Sequence, residues 1–258
     1  MSDNQSLKLR GIIFDVDGTL ADTEEIHRIA FNRTFKEFDL DWQWSEEKYV
    51  ELLSISGGKE RMTNFGSALQ TEYRTTKKEF QTLISDMHKR KSIIYRQILS
   101  EQKINLRPGV LRLIDELINE KISLNIATSS SLDNVDTLLK YNLGSEWRKL
   151  FDVIESSDTT KEKKPNPAVY KNVLRRSSLN VEHVMAIEDT HNGLMAAVLA
   201  SLKTIITTHP MTSKNIFQES CLVIDCMGEP NRPFEVVTGK NFGHKYLNLS
   251  LIEKLLNQ

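Results

Sequence analysis

A series of short apolar runs, none alternating polar with apolar, separates stretches of helical period and confines this chain to an α/β design. The runs are Gly11–Asp15, Ile122–Thr128, Phe151–Glu155, His183–Glu188, Lys203–Thr207 and Cys221–Asp225. Helix-like segments lie between the later ones: Val110–Asn119, Asn134–Tyr141, Ala168–Arg176 and Gly193–Ser201. Strands that are apolar on both sides need cover on both sides, which predicts a Rossmann-like parallel sheet with helices on both faces. In such sheets ligands bind outside the carboxyl ends of the strands, near the point where strand order reverses. The residues at those ends are therefore the ones to inspect.

The alternation breaks once. Roughly eighty residues follow the first strand before the next one, and they read as helical in Glu25–Phe38, Ser45–Ser54, Lys59–Leu69 and Lys77–Gln102. Arg107-Pro108-Gly109 marks re-entry, giving a core of residues 1–21 and 103–258 and an inserted α-helical cap of residues 22–102. A helical insert placed at the mouth of the first strand predicts a lid that closes by hinge motion. On its last helix Phe80, Ile84, Met87, Ile94 and Ile98 form an apolar stripe, with Lys91 in the middle of it. A lysine there either snorkels outward or faces an anion. Its neighbours Lys89 and Arg90 read as a solvated face, with His88 beside the stripe.

Composition removes several classes of function. The 34 basic and 35 acidic residues create no global field for nucleic acid or anionic membrane, so any phosphate must be captured by local charge. Cys221 and Cys226 are too few for a disulfide framework and read as core thiols, which suits a reducing compartment. No run is long and apolar enough to span a bilayer, and Met1–Arg10 is polar and short for a transit sequence. The expectation is a soluble, cytoplasmic monomer acting on a small molecule, with neither nucleic-acid nor membrane partners.

Chemistry concentrates at the strand ends. The first strand runs into Asp15-Val16-Asp17-Gly18-Thr19-Leu20, two carboxylates two residues apart beside a turn that Gly18 permits. Like charges at such a place repel unless a cation or a shared proton lies between them. The second strand leads through Thr128, Ser129, Ser130 and Ser131 into a helix near Asn134, a place where hydroxyls and free N–H groups accept an anion. Beyond the third, Lys164 stands between Lys163 and Pro165, on backbone stiffened by Pro165 and Pro167. The fourth ends in Glu188-Asp189-Thr190, a second acidic pair of the kind a hard cation requires.

These four segments, in this order, resemble the four motifs of the haloacid dehalogenase superfamily of phosphatases and mutases. The helical insert resembles the cap of the subgroup containing β-phosphoglucomutase and phosphoglycolate phosphatase. The strings Ala21-Asp22-Thr23-Glu24-Glu25-Ile26-His27-Arg28, Gly57-Gly58-Lys59-Glu60-Arg61 and Met87-His88-Lys89-Arg90-Lys91 are similar to CbbY-type members, phosphatases of xylulose-1,5-bisphosphate, a misfire product of Rubisco. The similarity extends through about Thr208, and the tail beyond is less diagnostic.

The resemblance implies Mg²⁺ as cofactor and a phosphorylated sugar as substrate. It makes Asp15 the nucleophile and a metal ligand, and Asp17 the general acid/base that also lends its carbonyl to the metal. It makes Asp189 a further ligand with Glu188 in support. Ser129, with Ser130, Ser131 and Asn134, holds the transferring phosphate, which Lys164 neutralises. The sugar and second-phosphate pocket falls to Glu24, His27, Gly57, Gly58, Lys59, Arg61, His88 and Lys91. Ala168 departs from the pattern, where Asp is common two residues after the position of Asn166, leaving Asn166 to cap the helix. A phosphomutase or a phosphoglycolate-type phosphatase shares every catalytic residue, and a non-catalytic sugar-phosphate sensor has no need of the intact Asp15 and Asp17 pair.

Overall fold

The computed structural model describes residues 6–69 and 76–258. Of the Met1–Arg10 start read as polar, residues 1–5 lie outside the described residues, as do residues 70–75 of the helical insert. The strands are β1 (Gly11–Phe14), β2 (Ser123–Ala127), β3 (Val153–Glu155), β4 (Val184–Glu188), β5 (Lys203–Thr207), β6 (Leu222–Ile224) and β7 (Val236–Gly239). They form one sheet in the order β3-β2-β1-β4-β5-β6-β7. All neighbours are parallel except β6 and β7. Strand order reverses between β1 and β4, which places the switch point beside Asp15.

Alternation along the strands explains the two-sided cover. Ile12, Phe14, Leu124, Ile126, Met185 and Ile187 face one layer, with α5 (Val110–Asn119), α6 (Leu132–Leu143) and α9 (Leu249–Leu256). Ile13, Ala127, Val184 and Ala186 face the other, with α7 (Ala168–Ser177) and α8 (His191–Val198). Small residues on α8, Ala196 and Ala197, let that helix approach the sheet. The parallel-sheet expectation requires one amendment. β7 is an antiparallel edge strand, exposed along its length, with a bulge at its pairing with Val223 and Ile224.

Between β1 and α5 the chain forms α1 (Glu24–Glu37), α2 (Glu46–Leu52), α3 (Gly58–Ala68) and α4 (Lys77–Gln102). Thr76 caps α4, with Glu79 closing a reciprocal capping box. These helices carry an apolar cluster of their own around Phe31, Phe35, Trp42, Trp44, Tyr49 and Met87. The first turns of α1 and the second half of α4 belong to the sheet's cluster instead, through Ile26, Ala30, Ile94, Tyr95, Ile98 and Leu99. The stripe on α4 is thus one continuous seam serving two cores. Among the described residues no helix is long and apolar enough to cross a membrane. Cys226 is a buried free thiol and Cys221 a half-buried one.

Candidate active site

Asp15 follows β1, and its N–H still donates to the carbonyl of Ile187 on β4 at 3.0 Å, so the sheet itself aims this carboxylate. Lys164, from the loop before α7, donates to Asp15 Oδ1 at 2.6 Å, Glu188 Oε1 at 2.5 Å and the carbonyl of Ala127 at 2.9 Å. The Tyr170 hydroxyl donates to the same Glu188 oxygen at 2.6 Å. Asp189 accepts from Thr19 at 3.3 Å on Oδ1 and pairs with His209 Nε2 at 3.0 Å on Oδ2. Gly18 turns beside it at φ +81°, where a Cβ would lie 2.1 Å from Asp189 Oδ2.

Asp15, Glu188 and Asp189 are all buried and offer oxygens within 4.8 Å of one another. Lys164 touches two of these carboxylates, Asp15 and Glu188, and His209 pairs with the third, Asp189. Burial holds the Asp15 carboxyl well above its usual range, with Lys164 opposing it and Glu188 adding to it. Burial likewise lifts Asp189 to about 6 against the pull of His209. An all-oxygen donor set of three converging carboxylates fits a hard divalent cation such as Mg²⁺.

Asp17 has a different setting. Its Oδ1 accepts from Thr23 at 2.6 Å and Tyr95 at 3.0 Å and meets His27 Nε2 at 3.1 Å. Burial pushes this carboxyl up, but His27 and the hydroxyl donors outweigh burial and hold it below its ordinary value. The Lys91 ammonium donates to Nδ1 of His27, and His27 stacks on Tyr95 at 4.0 Å between ring centroids. Burial and Lys91 keep His27 below its usual pKa, so Nε2–H faces Asp17 and Nδ1 accepts from Lys91. Lys91 does not snorkel. Its side chain is 3% exposed, and its ammonium sits over the Phe31 and Tyr95 rings at 4.5 and 4.9 Å. Burial lowers its pKa to about 7.

Around these groups lies a cavity of about 280 Å³ between the strand ends and the helical insert. Gly57, Gly58, Lys59, Arg61, His88 and Lys91 line it from the insert. Ser129, Ser130, Ser131, Asn134 and Lys164 line it from the sheet side, with Asp15, Asp17, Glu24, His27 and Asp189 between. Of the residues singled out from sequence, Glu188 alone is outside the lining, wholly buried under Lys164. Glu24 accepts from Tyr49 at 2.6 Å, and Arg61 donates to that hydroxyl at 3.0 Å and to the carbonyl of Ile55 at 2.8 Å.

Ser131 occupies the N-cap position of α6, yet its hydroxyl is buried without a partner. Asp158 accepts the Leu132 N–H at 2.7 Å. Asn166 accepts the Ala168 N–H at 2.9 Å, so the departure at position 168 is locally repaired.

Sequence reading did not single out Thr19, Thr23, Tyr95, Tyr170 or His209. Tyr95 lies one helical turn beyond Lys91 on the same stripe, and His209 lies just past the carboxyl end of β5. Both were open to rules already in use. Arg107 was read only as a boundary. It is buried, donates to carbonyls of Gly18, Thr207, Thr208 and Asp225, and pairs with Asp22 at 3.2 Å.

The family model for haloacid dehalogenase-like hydrolases matches residues 12–207. The chain belongs to the haloacid dehalogenase-like hydrolases. This hydrolase is 40% identical to the plasmid-encoded protein CbbY of Cupriavidus necator over 87% of its own length and 88% of that protein's. It is also 40% identical to CbbY of Cereibacter sphaeroides, over 86% and 94%. The crystal structure of Rhodobacter sphaeroides CbbY in complex with phosphate superposes with a TM-score of 0.77 at 39% identity, covering 84% of this chain and 94% of that one. A mutant of that protein in complex with xylulose-(1,5)bisphosphate gives 0.78. The β-phosphoglucomutase of Bacillus subtilis is 26% identical over 75% of the chain and 81% of that enzyme. This haloacid dehalogenase-like hydrolase is a phosphatase by family and relatives.

Proposed function

We propose that this phosphatase hydrolyses a pentulose bisphosphate of the xylulose-1,5-bisphosphate kind, with Mg²⁺ held by Asp15, Asp189 and the carbonyl of Asp17, and Glu188 in support. The observation that carries this reading is one cavity lined by cationic groups both from the sheet side and from the insert. Lys164 stands at the Asp15 floor, and Arg61, Lys59 and Lys91 stand on the insert. One phosphate needs only the first group; a second phosphate accounts for the others. That a mutant of the similar CbbY was crystallised in complex with xylulose-(1,5)bisphosphate supports this reading.

In the first half-reaction a carboxylate oxygen of Asp15 attacks phosphorus in line. The bond from phosphorus to the sugar oxygen breaks, and that oxygen takes a proton from Asp17. In the second, water attacks the aspartyl-phosphate and gives its proton to Asp17, releasing phosphate and free Asp15. Bound Mg²⁺ would supply charge compensation at the transferring phosphoryl group. The chain's own contribution is position and charge: Lys164 beside Asp15, and backbone N–H groups around Ser129. In the arrangement described Asp17 is ionised, the form that accepts the water's proton. The negative charge of arriving substrate raises its affinity for the proton that the first step requires.

Residues 22–102 act as a lid over residues 1–21 and 103–258 in this account. Their grip on the remote phosphate is binding energy that favours the closed, dry state in which transfer occurs. The test is a panel of phosphorylated sugars with Mg²⁺. Preference for a pentulose bisphosphate over hexose phosphates and phosphoglycolate supports the proposal; equal rates on monophosphates sink it. Isomerised sugar phosphate without free phosphate would mark a mutase instead.

A further inference from the structure

The turn after β5 closes on itself. His209 N donates to Thr212 Oγ1 at 3.2 Å, Thr212 N donates to the His209 carbonyl at 2.9 Å, and Thr212 is fully buried. Four residues tied in this way move together or not at all. Two side chains of this turn reach different parts of the molecule. His209 holds Asp189 Oδ2 at 3.0 Å. Met211 is buried in the apolar cluster whose other buried members, from Phe31 to Met87, all come from the helical insert. A second tie runs beside it, since Asn192 on the first turn of α8 donates to the carbonyl of Ser54 in the insert at 2.7 Å.

We propose that the turn His209–Thr212 is a strut that couples closure of the insert to the placement of the Asp189 carboxylate, with His209 and Met211 as positioning residues. The inference rests on reading Asp15, Glu188 and Asp189 as a Mg²⁺ site. Met211 has its apolar partners only while the insert lies against the core. Drawing Met211 out of that cluster pulls a turn that cannot deform locally, and His209 leaves its position at Asp189. The chain of contacts is contiguous, from an insert core through one turn to one carboxylate. Coupling of this kind is reciprocal: closure tightens Mg²⁺ binding, and Mg²⁺ favours closure by the same factor.

Calorimetric titration of Mg²⁺ into the full chain, free of substrate, tests the strut. Asp189→Asn serves as the control for the metal site. His209→Asn is expected to weaken Mg²⁺ binding by about 10- to 100-fold, as loss of a group that orients a ligand does. Met211→Ala is expected to weaken it several-fold although Met211 touches no carboxylate, and Met211→Leu, which conserves volume, is expected to restore it. The double variant His209→Asn with Met211→Ala is expected to lose no more than His209→Asn alone, because both act through one path. Should Met211→Ala fail to fold, Met211→Val gives the same ordering in smaller size. Unaltered Mg²⁺ affinity in the Met211 truncations, or additive losses in the double variant, overturns the strut while leaving the metal site standing. No Mg²⁺ uptake by the unaltered chain, or full uptake by Asp189→Asn, overturns the metal site and the strut together.

Discussion

Lys164 holds its ammonium 2.6 Å from Oδ1 of Asp15 and 2.5 Å from Oε1 of Glu188, so one cation from a loop ties the ends of two parallel strands. All three side chains are buried, and removing the cation leaves two carboxylates without it in a low-dielectric site. Lys164→Ala is expected to lose about 3–5 kcal/mol of stability, as breaking a buried pair does. It is also expected to lose turnover with every substrate. A thermal melt beside steady-state kinetics checks both; an unchanged melting temperature would show that the pair does not stabilise the fold.

Lys91 sets a pH dependence whose sign follows from its burial. Its pKa is lowered to about 7, so below that pH the free enzyme presents an ammonium to the cavity, where the proposed second phosphate would bind, and above it a neutral amine. The profile of kcat/KM, which reports groups of the free enzyme, is expected to fall on the alkaline side of about pH 7. Lys91→Arg keeps its charge throughout and is expected to lose that limb. An identical alkaline limb in the arginine variant would assign it to another group.

On the proposed reading, Arg61 is the residue that separates a bisphosphate from a monophosphate. Its guanidinium lies beside Tyr49 and Glu24 on the insert side of the cavity. Arg61→Ala is expected to lower kcat/KM for a pentulose bisphosphate by about 10- to 100-fold, the size of a lost charged hydrogen bond. Hydrolysis of a small monophosphate is expected to change little. Equal losses on both substrates would place Arg61 in the structure rather than in recognition.

Gly18 joins backbone geometry to the site. At φ +81°, with Asp189 Oδ2 2.1 Å from where a Cβ would stand, no side chain fits without moving that carboxylate. Gly18→Ala is expected to cost about 1–3 kcal/mol in backbone strain and to weaken Mg²⁺ binding as well. Denaturant unfolding with and without Mg²⁺ separates the two effects. A variant as stable as the parent, with the same response to Mg²⁺, would contradict this account of the turn.

The parallel strands were legible because burial on both faces removes alternation and leaves plain apolar runs, and Val110–Asn119, Lys77–Gln102 and Lys203–Thr207 match the structure at both ends. β7 was not legible, because Val236-Val237-Thr238, though β-branched, is short and exposed on both faces, unlike the buried runs. α9 left a signal that went unused: Leu251, Ile252, Leu255 and Leu256 lie on one helical face behind the N-cap Asn248. At the site, strand-end residues could be listed from the sequence, but their partners could not. Tyr95 reaches Asp17 across 78 positions and Tyr170 reaches Glu188 across 18, pairings that depend on where α4 and α7 cross the sheet. The bond from the Leu132 N–H to Asp158 likewise spans 26 positions and has no local signature.

The measurement that bears most directly on the whole account is acid quenching during turnover of a pentulose bisphosphate with Mg²⁺, followed by peptide mass spectrometry. The account predicts a phosphoryl group on the peptide containing Asp15, absent from Asp15→Asn. Steady turnover with no phosphorylated Asp15 at any quench time would contradict it.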